Sequence, residues 1–242
     1  MTSPATWAAD FKSLSAFHAV SLAIFCGSIG VSLLLGRKWR GAPAERRLRL
    51  GWGIFIVLFQ ILTIVHWFLP ANFEIQTSLP LHVCDLVVWA AALSMLTPSR
   101  VARVLTYFFG VGLSTQGFLT PTLQVGYADL EYWLFWIGHT QIIGTGIYLI
   151  VVDGYRPSIR DLRLAIFLGL AYAAVMATFD ALTGLNYGYV GPVTPDVPTL
   201  IDRLGPWPGR VFLLVGIVTV LFILMWGVWP LARRLRKATH PE

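Results

Sequence analysis

Charge is scarce in this chain. Asp, Glu, Lys and Arg make up only 12% of its 242 residues, against about 25% in soluble domains. That excludes a water-soluble globular domain as the bulk of the molecule. Cysteine is nearly absent: Cys26 and Cys84 are the only two, both inside hydrophobic runs, so neither a disulfide framework nor a Cys-x-x-Cys metal knuckle is available. Lysine occurs three times, at Lys12, Lys38 and Lys237. None lies in an apolar run, which excludes a retinal Schiff-base protein. No residue-level repeat supports an inverted-repeat transporter.

Apolar residues are what the chain has instead, at 56% of the total and a mean hydropathy of +0.69. They gather in seven runs of the length, about 20 residues, that spans a bilayer core. The runs are 14–35, 50–69, 79–96, 101–120, 132–152, 162–182 and 211–231. An all-α bundle of seven transmembrane helices in a single domain over residues 1–242 is predicted. The first run is long, preceded only by Lys12 and followed by Arg37, Lys38 and Arg40. This argues for a retained span and against a cleaved signal peptide.

The net charge of +6 is distributed unevenly. Fifteen of the 18 basic residues fall in the first loop (Arg37 to Arg49), at Arg100 and Arg103, in the 156–163 segment and in the tail from Arg233 to Lys237. With alternating helices, all fifteen share one side. Cytoplasmic loops collect Lys and Arg, so the N-terminus is expected outside, the C-terminus in the cytoplasm and the protein in the cell (inner) membrane. Charges hugging helix ends on one membrane face make no groove for nucleic acid. Membrane lipids are the expected partners. The longest loop, 183–210, then lies outside. Its prolines (192, 195, 198, 206, 208) and glycines forbid a continuous helix, and its apolar residues leave a mobile linker and a lid both open.

Ionisable groups inside a span are costly and mark function. The third run, beginning LPLHVCD, carries His82, Cys84 and Asp85 near its outer end, with Cys84 roughly 8 Å deep if the helix starts at the run's edge. His139 sits at a compatible depth in the fifth run, and Asp180, Asn186 and Tyr187 near the outer end of the sixth. At roughly 100° per residue His82 and Cys84 point apart, so a base for the thiol is expected from another helix, His139. Pro80 suits the first turn of a helix begun after Thr77 or Ser78. Single polar residues such as His18, His66 and Gln60 are more simply helix-to-helix hydrogen-bonding groups. Cys26, with no polar neighbours, reads as packing.

These residues carry a resemblance. PLHVC (80–84), LTP (119–121), Gly138–His139, NYGYV (186–190) and LGPWP (204–208) occur in this order. The chain resembles the YwaF-like integral membrane proteins of bacteria. These are similar in turn to an animal transmembrane acyltransferase family acting on ether phospholipids through a cysteine and a histidine. The resemblance implies Cys84 as nucleophile and His139 as base, with Asn186 and Tyr187 in an element of unassigned role. Asp85 departs from the residue many members carry after the cysteine.

The leading reading is therefore a membrane-embedded acyltransferase or lipid hydrolase acting on phospholipid-type acyl esters. His139 would take the proton of Cys84 and the thiolate would form a thioester. Asp180 either orients the imidazole or, sharing a face with Ala173, Ala177 and Gly184, only ties two helices together, and Asn186 or Tyr187 is the expected donor to the oxyanion. This chemistry needs no cofactor and no metal. The alternative is a metal- or small-molecule-binding membrane protein, a transporter or sensor. His66, His82, Asp85 and His139 are of zinc-binding type, but no two share the i, i+4 spacing of a His-x-x-x-His pair.

Overall fold

The computed structural model describes residues 11–193 and 200–239. Pro195 and Pro198 of the expected linker or lid lie outside the described residues. Among the described residues the chain is all-α: α1 (Ala16–Lys38), α2 (Pro43–Phe68), α3 (Val83–Leu96), α4 (Arg100–Leu105), α5 (Gln116–Leu119), α6 (Leu130–Val151), α7 (Ile159–Thr183) and α8 (Gly209–Thr239). A π-helical stretch, Thr106–Val111, continues α4. Among the described residues, five helices are long and apolar enough to cross a membrane: α1, α2, α6, α7 and the Gly209–Leu235 part of α8. The protein is thus a multi-pass membrane protein.

The expected run boundaries require correction. α2 begins at Pro43, seven residues before the apolar run, because Pro43 suits the first turn and Glu45 complements the dipole there. α8 continues through Pro230 into the basic tail. Hydropathy marks the thickness of the bilayer, whereas a helix stops only where its backbone finds caps. The third run yields a helix of only 14 residues, about 21 Å long and shorter than a bilayer core of ~30 Å. The expected single helix over 101–120 does not form: α4 passes into the π stretch, then into turns over 112–115, then into the short α5.

Residues up to Gly154 and residues from Tyr155 onward form two compact units. In the first, α6 is the central helix, packed against α1, α2, α3 and the π stretch, with Trp136, Gln141 and Thr145 fully buried. Aromatic rings fasten it to α1: Phe25 stacks on Trp136 with centroids 5.2 Å apart, and Tyr132 shares a 2.7 Å hydrogen bond with Ser21. Small residues fasten it elsewhere. The helices of this unit alternate in direction. At one end Tyr148 donates to Glu45 and Arg103 pairs with Asp153 at 3.0 Å, bringing the basic first loop, the start of α4 and the end of α6 together. At the other end Phe11 N–H bonds the Gln124 carbonyl and Ser13 bonds the Pro121 carbonyl.

His18 serves this packing. Its Nδ1 accepts from Leu14 N–H at 2.9 Å, so Nε2 carries the proton and donates to the Phe118 carbonyl at 2.8 Å. Both ring nitrogens are thereby satisfied inside a buried site. His66 is likewise held by Asn72. Cys26 is exposed on α1 rather than packed, because α1 buries only the stripe that carries His18, Ser21, Phe25, Ile29 and Gly36.

In the second unit, Asp180 accepts at Oδ1 from Tyr187 N–H at 3.0 Å, and the Asn186 side-chain oxygen accepts from Gly191 N–H at 2.8 Å. Trp207 Nε1 donates to the Val190 carbonyl at 3.0 Å, and Arg210 donates to the carbonyls of Gly191 and Val193. The Asn-Tyr and Gly-Pro-Trp-Pro elements thus clasp each other.

A Cβ at Gly146 would stand 2.4 Å from Val111 Cγ2 and 3.0 Å from the Thr106 carbonyl. Gly146→Ala is expected to push α6 from the π stretch and cost about 1–3 kcal/mol. Gly27→Ala, with open space around the new methyl, should be neutral or gain up to about 1 kcal/mol. Thermal unfolding of the two variants in detergent, followed by circular dichroism, reads the difference.

Candidate active site

α3 starts inside the unit. Its first residues pack beside His139, which lies nine residues past the start of α6, about 13 Å further along that helix. The helix begins at Val83 with His82 as its N-cap in extended backbone, not after Thr77 or Ser78 as Pro80 suggests; residues 79–82 form a turn. The helical angle between His82 and Cys84 therefore does not apply. What ends the turn is Asp85, whose Oδ2 accepts from the His82 backbone N–H at 3.0 Å. An acidic side chain at the third helical position reaching back to the N-cap is half of a capping box. This gives Asp85 a definite structural task and leaves Cys84 as the second residue of a helix whose first N–H groups have no intrahelical acceptor.

Cys84 Sγ lies 3.6 Å from His139 Nε2. The other imidazole nitrogen, Nδ1, is 2.8 Å from the Phe135 carbonyl. A carbonyl only accepts, so Nδ1 carries the proton and Nε2 presents its lone pair to the sulfur. The thiol is the donor of that pair. The Phe135 ring packs on the imidazole with centroids 4.3 Å apart. The orienting acceptor expected of Asp180 is thus the Phe135 carbonyl, one turn back on the same helix. Cys84 and His139 are each half-buried.

A third side chain joins them that the sequence did not single out. Ser114 Oγ is 3.4 Å from Cys84 Sγ. It follows the π stretch, where Ser114 N–H bonds the Phe109 carbonyl five residues back at 3.0 Å. Such single-turn widenings are frequent at functional sites, but nothing in an apolar stretch such as TYFFGV announces one. Gly117, a turn later, lies against the imidazole.

The sequence-predicted residues therefore sort by unit. Cys84 and His139 are brought into contact, with His82 and Asp85 building the helix start that carries the sulfur. Asp180, Asn186 and Tyr187 belong to the second unit and bond one another's segment as described. Among the described residues no three His, Cys, Asp or Glu side chains assemble into a group that could hold a metal ion, so His66, His82, Asp85 and His139 do not form the cluster the metal reading needs.

A Cβ on Gly117 would stand 2.5 Å from both Cδ2 and Nε2 of His139. The ring, pinned by Phe135 on one side and facing the sulfur on the other, can yield only by turning Nε2 away. Gly117→Ala is expected to slow alkylation of Cys84 by iodoacetamide about tenfold or more, since misplacement by about 1 Å can cost 10²-fold. Measured with Cys26→Ala as parent, an unchanged rate would show that the imidazole does not activate the thiol.

No curated protein and no solved structure matches the chain. Residues 13–226 match the model of the TMEM164 family, a span that takes in α1, α2, α6 and α7 whole, the first part of α8, Cys84, Ser114, His139 and both elements of the clasp. The chain is a member of the TMEM164 family of membrane proteins.

Proposed function

We propose that this protein transfers or hydrolyses acyl esters of membrane phospholipids, with Cys84 as nucleophile and His139 as base. The observation that carries the reading is the 3.6 Å approach of Cys84 Sγ to His139 Nε2, with the tautomer fixed by Phe135. A free thiol is a weak nucleophile until an adjacent base takes its proton. The imidazole needs no second acidic residue when a carbonyl already holds its orientation. The likeness of the Leu-His-x-Cys, Asn-Tyr and Gly-Pro-Trp-Pro elements to those of ether-phospholipid acyltransferases supports the same chemistry.

In the first half-reaction the Cys84 proton moves to His139 Nε2, and the thiolate attacks the ester carbonyl. The C–S bond forms as the carbonyl electrons move to oxygen. The oxyanion lies at the start of α3, where the backbone N–H groups without intrahelical acceptors favour negative charge. Collapse breaks the ester C–O bond, and the departing lysolipid alkoxide takes the proton from Nε2. In the second half-reaction Nε2 accepts the proton of a lysophospholipid hydroxyl, or of water. The resulting attack on the thioester returns the thiolate, which recovers its proton from the imidazolium. Two half-reactions need only one pair of groups because His139 is alternately base and acid.

The basic first loop, the Arg100–Arg103 segment and the basic tail support an orientation with the N-terminus outside and the C-terminus cytoplasmic, in the cell (inner) membrane. In that orientation Cys84 faces the outer leaflet.

In proteoliposomes holding a phospholipid donor and a lysophospholipid acceptor, Cys84→Ala is expected to abolish acyl transfer and release of fatty acid alike. His139→Ala should lower them by about 10²–10⁴-fold, the usual worth of a positioned general base. Wild-type protein should carry an acyl group that neutral hydroxylamine removes. Full transfer and hydrolysis by Cys84→Ala would refute the reading.

A further inference from the structure

We propose that Ser114 is the third member of the catalytic set, its hydroxyl donating to the Cys84 sulfur whenever that sulfur is a thiolate. The inference rests on the acyl-transfer reading and adds a residue to it. Ser114 is only 1% exposed and comes from the opposite-running element, 30 positions from Cys84 in the chain. Its Oγ has two neighbours, Cys84 Sγ at 3.4 Å and the Phe109 carbonyl at 3.5 Å. That carbonyl already accepts from Leu113 N–H at 2.9 Å and from Ser114's own N–H at 3.0 Å. Both of its lone pairs are engaged, and a third bond at 3.5 Å is at the limit of hydrogen bonding. The hydroxyl proton is therefore weakly held where it is. The sulfur beside it is the atom that gains charge in the reaction.

The exchange balances simply. When the Cys84 proton moves to His139 Nε2, the Ser114 O–H rotates from Phe109 to Sγ, and no covalent bond at Ser114 is made or broken. A hydrogen bond to an ionised acceptor is roughly twice as strong as one between neutral groups, and a donor to the charged form favours that form. When the sulfur is acylated its charge is gone and the hydroxyl returns to Phe109. Imidazolium and hydroxyl thus hold the thiolate from two sides in a site that water reaches poorly. The π stretch gains a structural purpose from this: its five-residue step sets Ser114 at the sulfur.

The test uses the full chain in nanodiscs with Cys26→Ala, so that Cys84 is its single thiol. The rate of alkylation by iodoacetamide is followed against pH by mass spectrometry. Ser114→Ala is expected to slow alkylation about tenfold near neutral pH and to move the profile about one pH unit upward, with the high-pH plateau unchanged. Ser114→Thr, which keeps the hydroxyl, should retain the parent profile. A Ser114→Ala profile that superimposes on the parent overturns the assignment. So does an equal loss of the plateau in both variants, the mark of a packing role. If Ser114→Ala fails to fold by gel filtration, Ser114→Gly is measured against the same criteria. Alkylation needs no lipid, so the two hypotheses fail separately. Acyl transfer that survives Cys84→Ala ends the assignment of Cys84 as nucleophile, whereas transfer that needs Cys84 together with an unmoved Ser114→Ala profile ends only the role of Ser114.

Discussion

Backbone hydrogen bonding in a medium without water is the constraint on which this structure turns. Inside a bilayer every N–H and C=O must find a partner within the protein, so a helix is broken at membrane depth only where something else satisfies the ends. The first unit breaks two elements at one level. α3 begins beside the middle of α6, and the element that starts as α4 leaves regular helix at Thr106, beside Ser94, and has passed through its π stretch into turns where Ser114 meets Cys84. The helix start favours negative charge, and the break delivers a hydroxyl.

Each break is held by a specific local device. At α3 the carboxylate of Asp85 returns to the backbone of His82, so the turn before the helix cannot slide into helical register. At the other break the widened turn lets Phe109 O accept both Leu113 N–H and Ser114 N–H. Gly146 and Gly110 make room for it against α6: a Cβ on Gly110 would stand 3.0 Å from Ile142 Cγ2. Removing side-chain bulk from that contact lets the backbones approach, the usual way helices associate where the solvent is as apolar as the interface. The irregular geometry is thus paid for by close packing one to two turns away from the reacting atoms.

What the sequence made legible follows from the same physics. Long apolar runs report bilayer thickness directly, so the five long helices and the alternation of the first unit could be read from hydropathy and basic loops. Two ionisable groups at matched depth in different runs were enough to pair Cys84 with His139. The start of α3 was not legible, because Leu79 to Leu81 are as apolar as the helix they precede and Pro80 is as good a turn residue as a helix opener. Asp85 looked chemical for the same reason: a carboxylate in an apolar run suggests function until the N-cap it serves is located. Ser114 was hidden because serine is common in apolar helices, and its neighbourhood depends on a register shift that no periodicity records. The acceptor that orients His139 is a main-chain carbonyl, and no side-chain pattern can reveal one.

The elements by which the chain resembles acyltransferases also divide by physical task. PLHVC, the LTP of 119–121 and Gly138–His139 lie in the first unit. There they supply the Cys84 sulfur, a link from the Pro121 carbonyl to Ser13, and the His139 imidazole. NYGYV and LGPWP lie in the second, where their groups are spent on each other's backbone: Asn186 on Gly191, Trp207 on Val190, and the neighbouring Arg210 on Gly191 and Val193. Gly191 marks how tight that clasp is, since a Cβ there would stand 2.1 Å from the Leu185 carbonyl and 2.9 Å from Asp180 Cβ. An element that must close on its own backbone this tightly is constrained at glycine, asparagine and tryptophan whether or not it touches a substrate. The Asn-Tyr and Gly-Pro-Trp-Pro elements thus have a folding task in the second unit, while the first unit brings the cysteine and the histidine together.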